Sequence, residues 1–272
     1  MTTLNVVLTH LAAPVVDAGV RYLEELAPHA RFVICHVGDA EDFEGVEHKQ
    51  KLFVDDPSFR APPITFQSLN MTLSGVYEQF VRDDATIRGV YVFEYDHLVL
   101  RSDFEERLSA VATRSGADFV GKTCVERTAT NWPHYVRFRR DERLLAHLRK
   151  LSTREDPARM YGCVGNGFWL TREALHAYAE VESHPPCYGE LYVPTLLHHL
   201  GFKVGDIDTH SNVYRHVRWA PPFTLHEVLR LKREGATFVH PFKDLGALGA
   251  VTSAPGAADA SADGSGALSA IR

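Results

Sequence analysis

The chain has 272 residues, 45% of them hydrophobic and 24% charged. That is the composition of an ordinary globular protein and excludes collagen-like, coiled-coil and wholly disordered chains. Lys and Arg number 29 against 35 Asp and Glu, a net charge of −6, which argues against a surface built to coat nucleic acid. No apolar run reaches the roughly 20 residues of a membrane helix. The amino end, Met1 to Asn5, lacks the basic start and small-residue cleavage site of a signal peptide. The expectation is a cytoplasmic chain with no membrane span.

Leu4–Leu8 reads as a buried strand, and Val16, Val20, Leu23 and Leu26 then recur at helical spacing. Arg31–Val37 is a second β-rich run and Pro62–Gln67 a short third. Leu73, Val76, Tyr77, Phe80 and Val81 form an amphipathic stripe. Gly89–Phe93 is a β-branched and aromatic strand; Ser102-Asp103-Phe104-Glu105 has the pattern of a capping box opening a helix that buries Phe104, Leu108 and Val111. Ala117–Val120 is the next strand. Strands alternating with helices predict right-handed βαβ units and a mainly parallel sheet.

The second half is less regular. Tyr135-Val136-Arg137-Phe138 alternates like an edge strand, and Gly167–Leu170 is a short apolar strand followed by Thr171 as the cap of a helix through Tyr178. Pro194 is placed in the first turn of another helix, which Gly201 stops. Phe202–Ile207 is strand-like, Thr224–Glu227 is a second capping-box pattern, and Gly235 ends its helix. From Ser253 the composition collapses to Ala, Gly, Ser and Asp, a disordered tail. The division expected is one domain over 1–252, nucleotide-binding to about 120 and acceptor-side over 121–252, with 253–272 as the tail. Cys35, Cys124, Cys163 and Cys187 show no metal-site spacing and read as buried thiols. Histidine, at 15 residues, is abundant enough to leave one or two for a site.

The chemistry concentrates after the fourth apolar strand. Glu94 and Asp96, two residues apart in extended chain, would point to one side. They follow a buried strand, and open α/β sheets bind ligands at the carboxyl ends of their strands. Oxygen ligands there suit Mg²⁺ or Mn²⁺ completed by phosphate oxygens; a solvated acidic turn is the plain alternative. Three further segments bear on it. Gly162, Gly165 and Gly167 precede an aromatic strand and admit a ligand close to the backbone. Tyr188-Gly189-Glu190 sets a carboxylate ahead of a helix, and His240 and Lys243 offer a metal ligand and a phosphate partner. Thr9 and His10 after the first strand, and His36 with Asp39 after the second, are placed to line a nucleotide pocket. Trp132, His134, Arg137, Arg139 and Arg140 either hold an anionic or sugar acceptor or form an exposed strand and loop.

In this order the segments over about residues 4–244 resemble the GT-A class of nucleotide-sugar glycosyltransferases. The resemblance implies a Rossmann-like, mainly parallel α/β sheet flanked by helices with a smaller mixed second half. It implies that Glu94-Tyr95-Asp96 is the acid-x-Asp motif, with Glu94, Asp96 and His240 on Mn²⁺ or Mg²⁺ and Tyr95 and Asp96 beside the donor. Gly165 and Asn166 would lie beside the donor sugar, Lys243 on the phosphates, and Glu190 would be the base of an inverting transfer; in a retaining one it would only orient a substrate. The donor implied is a UDP-sugar and the acceptor a saccharide or small molecule. Two departures stand out: Glu94 where Asp is commoner, and Leu191 where many relatives carry a second acid. His216 rivals His240 as the late histidine. A nucleotidyltransferase would carry a Gly-rich basic loop after the first strand, where this chain reads Thr9-His10-Leu11-Ala12-Ala13-Pro14. A relative that binds nucleotide or carbohydrate without turnover is the other alternative.

Overall fold

The structure is a computed structural model and describes residues 2–60, 68–128 and 130–256. The elements run β1 (Thr2–Thr9), α1 (Ala13–Leu26), β2 (Arg31–His36), α2 (Ala40–Gly45), β3 (Lys51–Phe53), α3 (Ser68–Val76), β4 (Ile87–Glu94), β5 (Leu98–Val99), α4 (Phe104–Ser115) and β6 (Phe119–Glu126). They continue with α5 (Pro133–Phe138), α6 (Glu142–Leu151), β7 (Tyr161–Thr171), α7 (Arg172–Ala179), α8 (Gly189–His199), β8 (Val204–Asp206), α9 (Ile207–His210), α10 (Leu225–Arg233), β9 (Phe238–Val239) and α11 (Leu248–Ser253). A seven-stranded sheet has the order β3-β2-β1-β4-β7-β6-β8, and β5 pairs with β9 in a small second sheet. β3, β2, β1 and β4 are mutually parallel, β7 runs antiparallel between β4 and β6, and β8 is parallel to β6. This is the expected α/β architecture with a mainly parallel sheet and a mixed second half.

Both faces of the sheet are covered, which is why β1 and β4 are predominantly apolar on both sides. Val7, Tyr91 and Phe93 face the core shared with α1, α4, α10 and α11, while Leu4, Val6, Val90 and Val92 face the one shared with α3, α6, α7 and α8. Alternate residues of one strand thus serve opposite layers. The four cysteines are buried and free. Among the described residues no helix is long and apolar enough to cross a membrane.

Five local expectations change. Tyr135–Phe138 lies in α5, not a strand: Pro133 occupies its first turn, and the Val136 and Arg139 amides bond back to Trp132 and Tyr135. Before α4, Ser102 forms no capping box; Asp103 holds the N-cap position, and its carboxylate is engaged by Arg101 at 2.7 and 2.9 Å and Arg107 at 3.0 Å. α3 does not run through to Val81, because Tyr77–Val81 widens into a π turn in which the Arg82 amide reaches the Tyr77 carbonyl. α8 begins at Gly189, so Pro194 is internal to it. Proline there leaves the Glu190 carbonyl without its helical donor, and the Cys163 thiol donates to it instead at 3.7 Å. Lastly, α11 extends ordered structure to Ser253. The expected strand at 62–67 and the tail from 257 lie outside the described residues. The second capping box is present as read, Thr224 and Glu227 bonding each other's backbone.

Candidate active site

Strand pairing assembles the site at the carboxyl ends of β1 and β4. β4 stops at Glu94, where the His97 amide bonds back to the Glu94 carbonyl at 2.9 Å, so Glu94-Tyr95-Asp96-His97 is a turn and not extended chain. The Tyr95 amide is fixed to the Leu8 carbonyl of β1. β7 enters antiparallel with Gly167 opposite Phe93, which sets Asn166 and Gly165 beside the acids. β9 pairs with β5, Val239 opposite Leu98, and the Phe242 amide bonds the Asp96 carbonyl at 2.9 Å; this register delivers His240 onto the turn.

One ligand atom from each of Glu94, Asp96 and His240 lies within 4.8 Å of the others. His240 Nε2 is 3.3 Å from Asp96 Oδ1 and 3.6 Å from Glu94 Oε2. Its Nδ1 donates to the Arg218 carbonyl at 2.7 Å, which orients the ring and leaves Nε2 toward the acids, the arrangement that metal-binding imidazoles use. Asp96 is 2% exposed, and its buried Oδ1 has no partner among the described residues beyond the 3.3 Å ion pair with His240, which leaves it able to take a cation. Glu94 is about half exposed. The donor set is one imidazole and two carboxylates at a cleft with room for further oxygens, and it fits a divalent ion such as Mn²⁺ or Mg²⁺. Lys243 Nζ sits 2.5 Å from Asp96 Oδ2 and 3.1 Å from the Tyr95 hydroxyl. Burial would raise the Asp96 carboxyl, but bonds from His240 and Lys243 outweigh it and hold the pKa below the usual value. His240 moves the other way: burial works against its charge, yet Asp96 and Glu94 raise it to about 9.

The acids form one wall of a cleft of about 610 Å³ that Thr9, His10, Tyr95, Gly165, Asn166, Glu190 and Lys243 also line. His10 packs edge-on against Tyr95 at 5.1 Å and, tilted, against Phe59 at 5.5 Å. The buried Asn166 amide lies 2.8 Å from the His240 ring nitrogens. Glu190, in the first turn of α8, accepts from the Gly165 amide at 2.8 Å through Oε1. Only glycine fits at 165, since a Cβ would stand 2.7 Å from Glu190 Cγ. Burial raises the Glu190 pKa to about 7; the Gly165 bond opposes the rise and the charge of Glu94 adds to it.

Two expected residues stand elsewhere. His36 is fully buried, with Nε2 against the Leu11 carbonyl at 2.9 Å and Nδ1 accepting from the Gly38 amide at 3.1 Å. Both nitrogens tie the β1 and β2 loops together, so it does not line the cleft. Asp39 precedes α2 at the N-cap position and is likewise no part of the lining. His240, not His216, reaches the acids; His216 contributes its backbone carbonyl to the His240 amide. Arg137 and Arg139 lie over the rings of Phe138 and Tyr135 within α5 and its cap, and with Arg140 are outside the cleft lining. Sequence reading missed Leu69 of α3 and the 72% exposed Trp219 in the cleft wall. Trp219 was legible only as a tryptophan close to His216; nothing in the local pattern marks Leu69.

No known family profile matches the chain, and no curated protein matches it. Solved structures to which it is similar are nucleotide-sugar enzymes. One is a CMP:2-keto-3-deoxy-manno-octonic acid synthetase complexed with CTP, 10% identical, covering 76% of this chain and 89% of that one at a TM-score of 0.42. Another is the mannosyltransferase PcManGT from Pyrobaculum calidifontis in complex with GDP-Man and Mn²⁺, 17% identical, at a TM-score of 0.41; 75% of this chain is covered and 53% of that one. A third is an active-site mutant of LgtC, 10% identical, covering 76% and 72% at a TM-score of 0.36. Likeness at these values carries no functional argument, which rests on the cleft itself.

Proposed function

We propose that the chain is a metal-dependent glycosyltransferase that moves a sugar from a nucleoside-diphosphate donor, a UDP-sugar in the first instance, to an acceptor hydroxyl with inversion. The observation that carries this reading is the pairing of two unlike acidic centres in one cleft: the half-exposed Glu94 clustered with the buried Asp96 and His240, and a separate carboxyl whose pKa is near 7.

Glu94, Asp96 and His240 would hold a divalent ion together with the donor diphosphate. When bound, that ion supplies Lewis-acid neutralisation of the charge that develops on the departing diphosphate. Lys243 stands beside Asp96 and Tyr95, where its ammonium can donate to a phosphate oxygen. Thr9, His10 and Tyr95 line the nucleotide side of the cleft. Glu190 takes the proton from the acceptor hydroxyl as that oxygen attacks the anomeric carbon, and a base with pKa near 7 is ionised yet basic enough for the task. The Gly165 amide holds Oε1, which leaves Oε2 as the oxygen that receives the proton.

The reading is tested with a panel of nucleotide sugars, by thermal shift with and without Mn²⁺ and by release of nucleoside diphosphate. Asp96→Ala should keep the fold, abolish Mn²⁺-dependent donor binding and lower turnover by roughly 10²-fold or more. Undiminished turnover in that variant would overturn the reading. Release of pyrophosphate from a nucleoside triphosphate would assign the cleft to nucleotidyl transfer instead.

A further inference from the structure

The first turn of α5 brings to Glu190 a histidine that glycosyl transfer by Glu190 alone leaves unused. His134 lies flat on Tyr188, ring centroids 3.6 Å apart and planes at 13°, and Trp132 meets it edge-on at 5.0 Å and 88°. Trp132 is itself fixed. The Arg127 guanidinium stands over its ring at 4.6 Å, and Gly162 lies against both, where a Cβ would come within 2.4 Å of the indole and 3.0 Å of Arg127 Nε. Arg127 in turn donates to the Thr123 and Gly162 carbonyls at 3.1 and 3.0 Å. This ladder of flat groups fixes the plane of the His134 ring and aims Nε2 at Glu190 Oε2, 3.7 Å away. Oε1 is already occupied by the Gly165 amide, so the two carboxylate oxygens have separate partners.

We propose that His134 is a proton relay for Glu190, receiving at Nε2 the proton that Glu190 takes from the acceptor and passing it to solvent. Its chemistry rests on the transferase reading, and His134 acts through Glu190 as a positioning residue. The separation is longer than a hydrogen bond, and catalytic contacts of this kind commonly close only when substrate is bound. In the transfer the acceptor O–H bond breaks and its proton goes to Glu190 Oε2. The acceptor oxygen bonds the anomeric carbon as the bond from that carbon to the diphosphate oxygen breaks, the electron pair leaving on the diphosphate. The Oε2 proton then moves to the lone pair of His134 Nε2, and the imidazolium releases a proton to water at its partly exposed edge. Glu190 is thereby ionised again for the next turnover. The charged groups facing the pair are Arg137 on α5, Arg127 after β6 and Glu94 at the end of β4. Burial, then Arg137, lowers the His134 pKa below 6.5, so its ring is neutral and able to accept near pH 7.

The pairing is tested without any substrate by titrating ¹⁵N-histidine-labelled full-length protein. Replacing the carboxyl that faces Nε2 in Glu190→Gln should shift the His134 ¹⁵Nε2 resonance, most clearly above pH 7 where Glu190 is ionised; an unchanged His134 resonance throughout the titration overturns the pairing. Its use in turnover is tested with His134→Phe, which keeps the stack on Tyr188, and with His134→Gln. On whichever donor the panel identifies, both should lower kcat roughly tenfold or more with donor KM and Tm unchanged. Added imidazole should restore part of the rate in His134→Phe. Full activity in both variants, or a loss that imidazole does not relieve, overturns the relay. If wild-type protein turns over no nucleotide sugar, the transferase reading and the relay built on it fall together, while the titration still decides the pairing independently.

Discussion

Glu190 illustrates how position raises the pKa of an ordinary carboxyl and suits it to the proposed role of base. The chain supplies only a glutamate after a glycine; the first turn of α8 supplies the backbone frame, and a bare glycine opposite supplies both space and one amide donor. The helix N-terminus and the Gly165 bond favour the charged form, yet burial outweighs them and Glu94 adds repulsion, so the pKa reaches about 7. A base must be ionised to act. Steady-state kcat should therefore rise about tenfold per pH unit below pH 7 and level off above it. Glu190→Gln should lose roughly 10²–10⁴-fold in kcat and abolish that limb of the profile. A rate independent of pH between 5 and 8 would remove Glu190 from the proton transfer. Asp96 lies on the other side of the same logic, a carboxyl held below its usual pKa by His240 and Lys243 and so kept ionised, as the proposed metal role requires.

Among the elements, β7 carries the closest tolerances. Tyr214 donates to the Tyr91 hydroxyl at 2.9 Å, and Tyr91 bonds His97 Nε2 at 2.9 Å, a buried polar chain directly under the acidic turn. Gly167 crosses over it: a Cβ there would lie 2.7 Å from the Tyr214 hydroxyl and 3.1 Å from that of Tyr91. Gly167→Ala should cost about 1–3 kcal/mol by overpacking, a fall of roughly 3–10 °C in Tm for a domain of this size. Gly19 in the middle of α1 is the contrast, where an added Cβ would meet nothing within 4 Å. Gly19→Ala should raise Tm, by about 0.5–1 kcal/mol of helix propensity. Calorimetry on the two variants checks both signs.

The same elements show what a sequence of this kind discloses. β1, α1, β2 and β4 were legible because long apolar runs and helical stripes have one good solution each, and Glu94 and Asp96 were legible because they end the most apolar strand. The Tyr135–Phe138 stretch misleads because four residues of alternating polarity fit a strand as well as a single helical turn, and the deciding residue, Pro133, lies outside them. Pro194 misleads because its cost is relieved by Cys163 on another strand. His240 could be suspected but not placed, since its arrival depends on β5 and β9, two-residue strands too short to show any period. His36 was indistinguishable from a ligand until both its nitrogens were seen to bond backbone.

For the whole molecule, the site's demands set how stability depends on pH. A carboxyl whose folded pKa lies above its unfolded value penalises the folded state wherever both forms are ionised. For Glu190 the ordinary value is 4.5 and the folded one about 7. The penalty is absent below pH 4.5, grows between 4.5 and 7, and is complete above 7. Its full size is about 3 kcal/mol, since each pH unit between the two values contributes about 1.4 kcal/mol. That is a large share of the roughly 5–15 kcal/mol that holds a domain together. His97 acts oppositely. Full burial holds its pKa down to about 3, so the stability of its neutral form is present above pH 6.5 and is lost as pH falls from 6.5 toward 3. Between pH 6.5 and 4.5 the two effects oppose each other, and wild-type protein should acidify with less loss than its buried histidines alone would cause. Glu190→Gln separates them, because a neutral amide carries no charge to bury and its carbonyl can still accept from the Gly165 amide. That variant should be more stable than wild type at pH 8, by up to about 3 kcal/mol. The advantage should shrink steadily from pH 7 and vanish near pH 4.5, leaving a steeper acid slope than wild type shows. Urea midpoints of the two proteins at half-unit pH steps measure this directly. Parallel curves, or a variant less stable at pH 8, would mean that the carboxyl at 190 is not held ionised against its surroundings.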